Sequence, residues 1–209
     1  MVVYNNAILD YDSEISCVSI GQLEPRKAVV VVVVRDREDL LDLPDFMFTC
    51  TRLEKLKLFM ATAVALPINI RPELVHLPAL KFVDLTGVAL VDDDRFTQNL
   101  CSSPVLETMV LRLCDLDITE ISSKVLKELT IYRCCQRRRT RISCPTLASL
   151  DIESYQEMEL KNMTSLKYAK ICLHLDENHG DLNLLSSLSN VSHLSLGLLS
   201  SVQGIFLFS

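Results

Sequence analysis

The chain has 209 residues, 49% of them hydrophobic, with a mean hydropathy of +0.26, enough for one domain with a substantial core. A net charge of −6 and a pI near 5.2 oppose nucleic acid or an anionic membrane surface as a main partner. No apolar run approaches the ~20 residues that span a bilayer, and MVVYNNAILDYDSE lacks the basic flank and unbroken apolar core of a secretory signal.

Residues 1–28 carry no clear periodic frame and are read as an N-terminal cap, with a strand over Ile15–Ile20. Ala28 and the valines Val29–Val34 follow. β-branched density of that kind predicts a strand buried on both faces, as parallel sheets require. From residue 53 onward one pattern recurs. Leu106-x-x-Met109-x-Leu111-x-x-Cys114 and Leu126-x-x-Leu129-x-Ile131-x-x-Cys134 are its fullest copies. Others are Leu53, Leu56, Leu58; Leu80, Val83, Leu85; and Leu147, Leu150, Ile152, with weaker copies at Leu166, Ala169, Ile171 and Val191, Leu194, Leu196. The starts at 53, 80, 106, 126, 147, 166 and 191 give steps of 27, 26, 20, 21, 19 and 25. This is the leucine-rich-repeat frame L-x-x-L-x-L-x-x-[NC] at its usual period. Each copy supplies one short strand whose apolar face is buried only when copies stack. The expected fold class is therefore α/β: a ribonuclease-inhibitor-like solenoid over residues 29–199, with a parallel concave sheet and short convex helices or irregular segments. Residues 200–209 are an apolar C-terminal tail.

Between strands, Arg71–Leu77 reads as a helical turn with Pro72 at its first position. Asp92-Asp93-Asp94 opens a helix running to about Leu100, with Phe96 and Leu100 facing the core. Three adjacent aspartates also suit a divalent cation, but no loop glycine or downstream glutamate completes a calcium loop. The run Arg133-Cys134-Cys135-Gln136-Arg137-Arg138-Arg139-Thr140-Arg141 reads either as a nuclear-import or phosphate patch or as a solvated loop in an acidic protein. Residues 181–190 resemble another convex helix.

No phosphate loop, HExxH or G-x-S-x-G elbow occurs. His174 and His179 lack the paired C-x-x-C that zinc sites draw on, and adjacent Cys134-Cys135 suits neither zinc nor redox chemistry. The expectation is a chain without catalysis, cofactor or metal. The eight cysteines stand mostly beside strand positions, where buried thiols fit a reducing compartment, so the expected location is cytoplasmic or nuclear.

Alternation predicts the binding surface. If Leu56 and Leu58 point inward, Lys55, Lys57 and Phe59 point outward. The same rule exposes Phe82 and Asp84, then Val110 and Arg112, then Glu128 and Tyr132. Asp151 and Glu153, and finally Tyr168 and Lys170, complete the face. Aromatics and arginine on a rigid platform make binding anchors, and the competing reading is plain solvated strand residues.

Local wording then becomes specific. Val91-Asp92-Asp93-Asp94 … Cys101-Ser102-Ser103-Pro104-Val105-Leu106-Glu107 … Val110-Leu111-Arg112-Leu113-Cys114 resembles plant F-box proteins with leucine-rich repeats, often bearing an FBD domain. Ile121-Ser122-Ser123-Lys124-Val125-Leu126-Lys127-Glu128-Leu129-Thr130-Ile131 is similar to the same group, and Leu43-Pro44 … Phe48-Thr49-Cys50 looks like its preceding repeat. The resemblance covers about Val29 to Leu196. It implies that repeats select a protein target while an F-box docks on the Skp adaptor of a cullin ubiquitin ligase. No F-box is visible in residues 1–28 and no FBD domain after Leu196, so adaptor and cullin are expected partners only of a longer form. The reading favoured is the target-recognition half of such a receptor. The competitors are a stand-alone scaffold or decoy and an extracellular receptor-type repeat domain.

Overall fold

The computed structural model describes residues 17–24, 27–34, 46–60, 68–69, 75–90, 95–154, 158–175 and 187–200. Its first elements are β1 (Cys17–Glu24), β2 (Lys27–Val34), α1 (Phe46–Thr49), β3 (Leu53–Met60), β4 (Ile68–Asn69), β5 (Phe82–Thr86), β6 (Val88–Leu90) and α2 (Arg95–Cys101). Then come β7 (Thr108–Arg112), β8 (Asp115–Leu116), β9 (Glu120–Ser122), β10 (Glu128–Gln136), β11 (Thr140–Ser143), β12 (Ser149–Ser154), β13 (Met158–Lys161), β14 (Tyr168–Leu175) and β15 (His193–Ser200).

The main sheet runs β1-β2-β3-β5-β7-β10-β12-β14-β15. From β2 onward every pairing along that path is parallel, and one strand arises from each expected repeat. The chain is a leucine-rich-repeat solenoid. β1 departs from it by pairing antiparallel with β2, Cys17 opposite Val33 and Gly21 opposite Val29. The strand expected from Ile15 begins at Cys17, and residues 1–16 lie outside the described part.

The inward triplets fill the interior. Leu53, Leu56, Leu80, Val83, Leu85, Leu106, Leu126, Ile131, Leu147 and Ile152 are fully buried. One backbone device repeats at each strand entry. The Lys81 carbonyl accepts from the amides of Glu107 and Thr108 at 2.9 and 3.0 Å, and the Glu107 carbonyl from Lys127 and Glu128 at 2.8 and 3.0 Å. Lys127, Ala148 and Lys167 carbonyls continue the series, so each strand is hung from the one before. Small hydroxyls support the same join: Ser103 Oγ donates to the Leu77 and Leu80 carbonyls at 3.2 Å, and Thr146 Oγ1 to Leu126 at 2.9 Å.

On the far side, where short helices or irregular segments are expected, the described residues hold the helix α2 and mostly strands. These strands form parallel sets: β4-β6-β8, joined through the end of β10, and β9-β11-β13. Repeat length explains this. The 26-residue step from 80 to 106 leaves room for the helix α2, whereas steps of 19 to 21 residues admit only a short strand on the return. α2 begins at Arg95 with Phe96 and Leu100 buried, and Phe48 meets the Phe96 ring edge-on at 5.6 Å. Asp92–Asp94, residues 71–74 and residues 181–186 lie outside the described part. The stretch 75–77 is not helical and 187–190 forms a turn, so no helix is seen at either place among the described residues.

The last repeat breaks the burial rule. Leu194 and Leu196 keep register with Ala169 and Ile171, yet are 46% and 50% exposed. On the described path β15 is an end strand with a neighbour on one side only, so its inward side chains are covered from one side.

Candidate functional site

Parallel register turns the outer face of the main sheet into three rows. One row runs Lys55, Phe82, Thr108, Glu128, Ser149, Tyr168, His193. The next runs Lys57, Asp84, Val110, Thr130, Asp151, Lys170, Ser195. The third runs Phe59, Thr86, Arg112, Tyr132, Glu153, Cys172. The charged and aromatic candidates named from the sequence all stand in these rows, and none of them is buried.

Their contacts divide them. Arg112 donates to Asp84 at 2.7 Å, and Lys170 to Asp151 at 3.3 Å. Arg133 Nε reaches Glu153 at 2.6 Å while its guanidinium lies 5.2 Å from the Tyr132 ring centroid. Glu128 accepts from Thr108 Oγ1 at 3.3 Å. Tyr168 stacks on His193, 4.8 Å between centroids at 20°. At the other end of the face, the Lys57 ammonium sits 5.3 Å over the Phe82 ring, and Phe59 is 46% exposed.

Val110 and Thr86 correct the alternation rule: both stand on the outer face yet are buried, since alternation fixes the direction of a short side chain and not how far its neighbours cover it. Two residues of the face were missed from the sequence, Leu113 and Arg133. Both have left-handed backbone, at φ 51° and 48°, and both fill the slot that Gly87 fills at φ 70° in an earlier repeat. Each follows the second inward residue of its strand by two positions, as Gly87 follows Leu85. That shared spacing is the signal that points to them. Leu113 is 57% exposed there, and its amide still donates to the Tyr132 carbonyl at 2.9 Å.

The arginine run after β10 is a cross-repeat ion ladder. Arg137 donates to Asp115 at 3.1 Å, Arg138 meets Asp117 at 2.6 Å and Arg141 meets Glu159 at 3.1 Å. Asp115 holds the Arg137 guanidinium above its ordinary pKa, and Lys161 and then Arg141 hold the Glu159 carboxyl below its own. Those pairings support the solvated-loop reading over a patch open to phosphate. Burial, not catalysis, marks the thiols: it pushes Cys101 up to about 12 and Cys144 up to about 11. The Cys114 thiol, hydrogen-bonded to Cys134 and buried, is held well above its ordinary value. Among the described residues no three His, Cys, Asp or Glu side chains converge as metal ligands, and no helix is long and apolar enough to cross a membrane. His179 lies outside the described residues, as does the His174 side chain.

Comparison with known proteins agrees with this geometry. The model of the family described as "FBD-associated F-box protein At5g56370, LRR repeats" matches residues 27–179. A protein of Arabidopsis thaliana named "Putative FBD-associated F-box protein At1g05080" is 30% identical over 168 residues, covering 75% of this chain and 37% of the relative. FBD-associated F-box protein At5g60610 of the same plant is 28% identical over 165 residues, covering 74% of this chain and 40% of the relative. The chain thus spans well under half the length of these relatives. No solved structure matches.

Proposed function

This chain belongs to the leucine-rich-repeat family of FBD-associated F-box proteins, and from that premise we propose that it is a non-catalytic protein-binding module, the target-recognition repeat domain of an F-box-type ubiquitin-ligase receptor. Residues 29–199 act as the module, in the cytoplasm or nucleus. The single observation that carries the reading is the outer face of the main sheet. Three aligned rows of polar and aromatic side chains stand there, outside the core, on backbone held rigid by the repeat-to-repeat hydrogen bonds. A rigid platform with aromatic and arginine anchors recognises protein surfaces at low entropic cost. The names of the relatives carry an F-box, and docking on the Skp adaptor and its cullin enters this proposal only for a longer form that holds one.

The test is affinity purification from plant tissue, read by mass spectrometry, with the chain and with an Arg112→Glu/Tyr132→Ala variant. The expected outcome is a set of proteins held by the unmodified chain and lost with the variant. Capture indifferent to the variant overturns the outer-face assignment. A parallel pull-down with the longer form separates receptor from scaffold: the Skp adaptor must come down with it, and targets held without adaptor indicate a stand-alone scaffold or decoy.

A further inference from the structure

Charge on the outer face is unevenly spent. From β5 onward the ionic groups of the rows are mostly matched within the sheet, Asp84 by Arg112, Asp151 by Lys170 and Glu153 by Arg133, and Tyr168 is stacked on His193. At β3 the pattern inverts. Lys55 and Lys57 point the same way two residues apart, and neither has an ion-pair partner among the described residues. Their register partners on β2 are Val29 and Val31, and on β5 they are Phe82 and Asp84. Asp84 is the one carboxylate of that set, and Arg112 already holds it at 2.7 Å, so the Lys57 ammonium turns to the Phe82 ring instead. Phe59 completes the corner with nearly half its surface in water. Two uncompensated cations beside two aromatic rings therefore stand together on a protein whose net charge is −6.

We infer that the β3–β5 corner of the outer face is the primary docking site for an acidic protein segment bearing an apolar side chain, its carboxylates set against Lys55 and Lys57 and its apolar group against Phe59 and Phe82. This rests on the protein-binding reading above and narrows it. Carboxylates gain there because no carboxylate among the described residues competes for the lysines, whereas at Lys170 an incoming acid must displace Asp151. The apolar group gains by removing ring surface from water, which charge alone does not supply.

The probe is a fluorescein-labelled synthetic peptide of repeated Glu-Glu-Phe, followed by fluorescence anisotropy on the full chain. Peptides of repeated Lys-Lys-Phe and Glu-Glu-Ser serve as controls. The Glu-Glu-Phe peptide should bind most tightly and weaken as salt rises. Lys55→Glu/Lys57→Glu should reduce its affinity about tenfold or more, Phe59→Ser/Phe82→Ser should also reduce it, and Lys161→Glu, on the far-side strand β13, should leave it unchanged. All substitutions are at exposed or half-buried sites, and unchanged thermal midpoints confirm that folding is intact. Equal binding by the Lys55→Glu/Lys57→Glu variant, preference for the Lys-Lys-Phe peptide, or an equal loss at Lys161→Glu each overturns the inference. The two readings fail separately. A protein captured through Arg112 and Tyr132 that keeps its affinity for the Lys55→Glu/Lys57→Glu variant leaves the module standing and removes the acidic-segment site.

Discussion

Leucine 113 illustrates what a repeat imposes on a single residue. A left-handed conformation costs an ordinary L-residue roughly 1–2 kcal/mol, and exposure of a leucine adds no burial in return, yet both occur together here. The same slot is left-handed in three successive repeats, at Gly87, Leu113 and Arg133, and Gly87 meets that need without strain. The cysteines show the opposite economy. Cys101 and Cys144 are buried thiols with raised pKa, about 12 and about 11, against an ordinary value of 9.0. Sign decides the pH dependence. Above pH 9 the unfolded chain releases protons that the folded chain keeps, so stability is complete below that pH and is lost as pH rises toward 11–12. Each such thiol contributes up to about 1.4 kcal/mol of loss per pH unit. Urea midpoints should fall between pH 8.5 and 10.5, and fall less steeply in a Cys144→Ala variant. A midpoint that is flat across that range contradicts the buried-thiol assignment.

At the scale of the strand, the sequence was most informative where alternation and repeat spacing reinforce each other. Leu129, Leu150 and Ala169 were assigned inward from spacing alone, and all are buried in parallel register. The rows of the outer face followed by the same logic, because in a parallel stack the register of one strand fixes that of its neighbours. Val110 escaped, since alternation gives direction and not the height of neighbouring side chains. The return segments escaped too: a two-residue strand such as β8 leaves no periodic trace, and its pairing with the end of β10 depends on how the chain turns at Leu113 and Arg133. The same frame position should also have unequal energetic weight along the stack. Leu150→Ala, at a fully enclosed site, should cost about 2–5 kcal/mol. Leu194→Ala, one of the half-exposed pair on β15, should cost below about 1 kcal/mol, in proportion to the area already in water. Thermal denaturation of both variants decides this, and equal losses show that the end strand is covered in solution.

For the molecule as a whole, stability is a chain of nearest-neighbour terms rather than one closed core. The ionic contacts obey the same geometry as the hydrogen bonds. Lys127–Glu107, Arg137–Asp115, Arg138–Asp117, Arg133–Glu153, Arg141–Glu159 and Lys170–Asp151 each join one repeat to the next. A middle strand such as β10 is therefore held by β7 on one side and β12 on the other, with the far-side strands beneath it, whereas β15 is held along the main sheet, among the described residues, by β14 alone. Opening β15 breaks one interface and exposes leucines already half in water; opening β10 breaks two and uncovers Leu129 and Ile131. Local opening free energy should thus climb from the β15 end toward the centre of the stack. Native-state hydrogen exchange should find the slowest amides on β7, β10 and β12, intermediate ones on β14 and the fastest strand amides on β15. Deletion of the Leu150 side chain should then lower protection most on β10, β12 and β14 and least on β3, because the damage travels only through adjoining repeats. Uniform protection, or an equal loss on β3, indicates a single all-or-none core and removes the nearest-neighbour account on which the rigidity of the outer face depends.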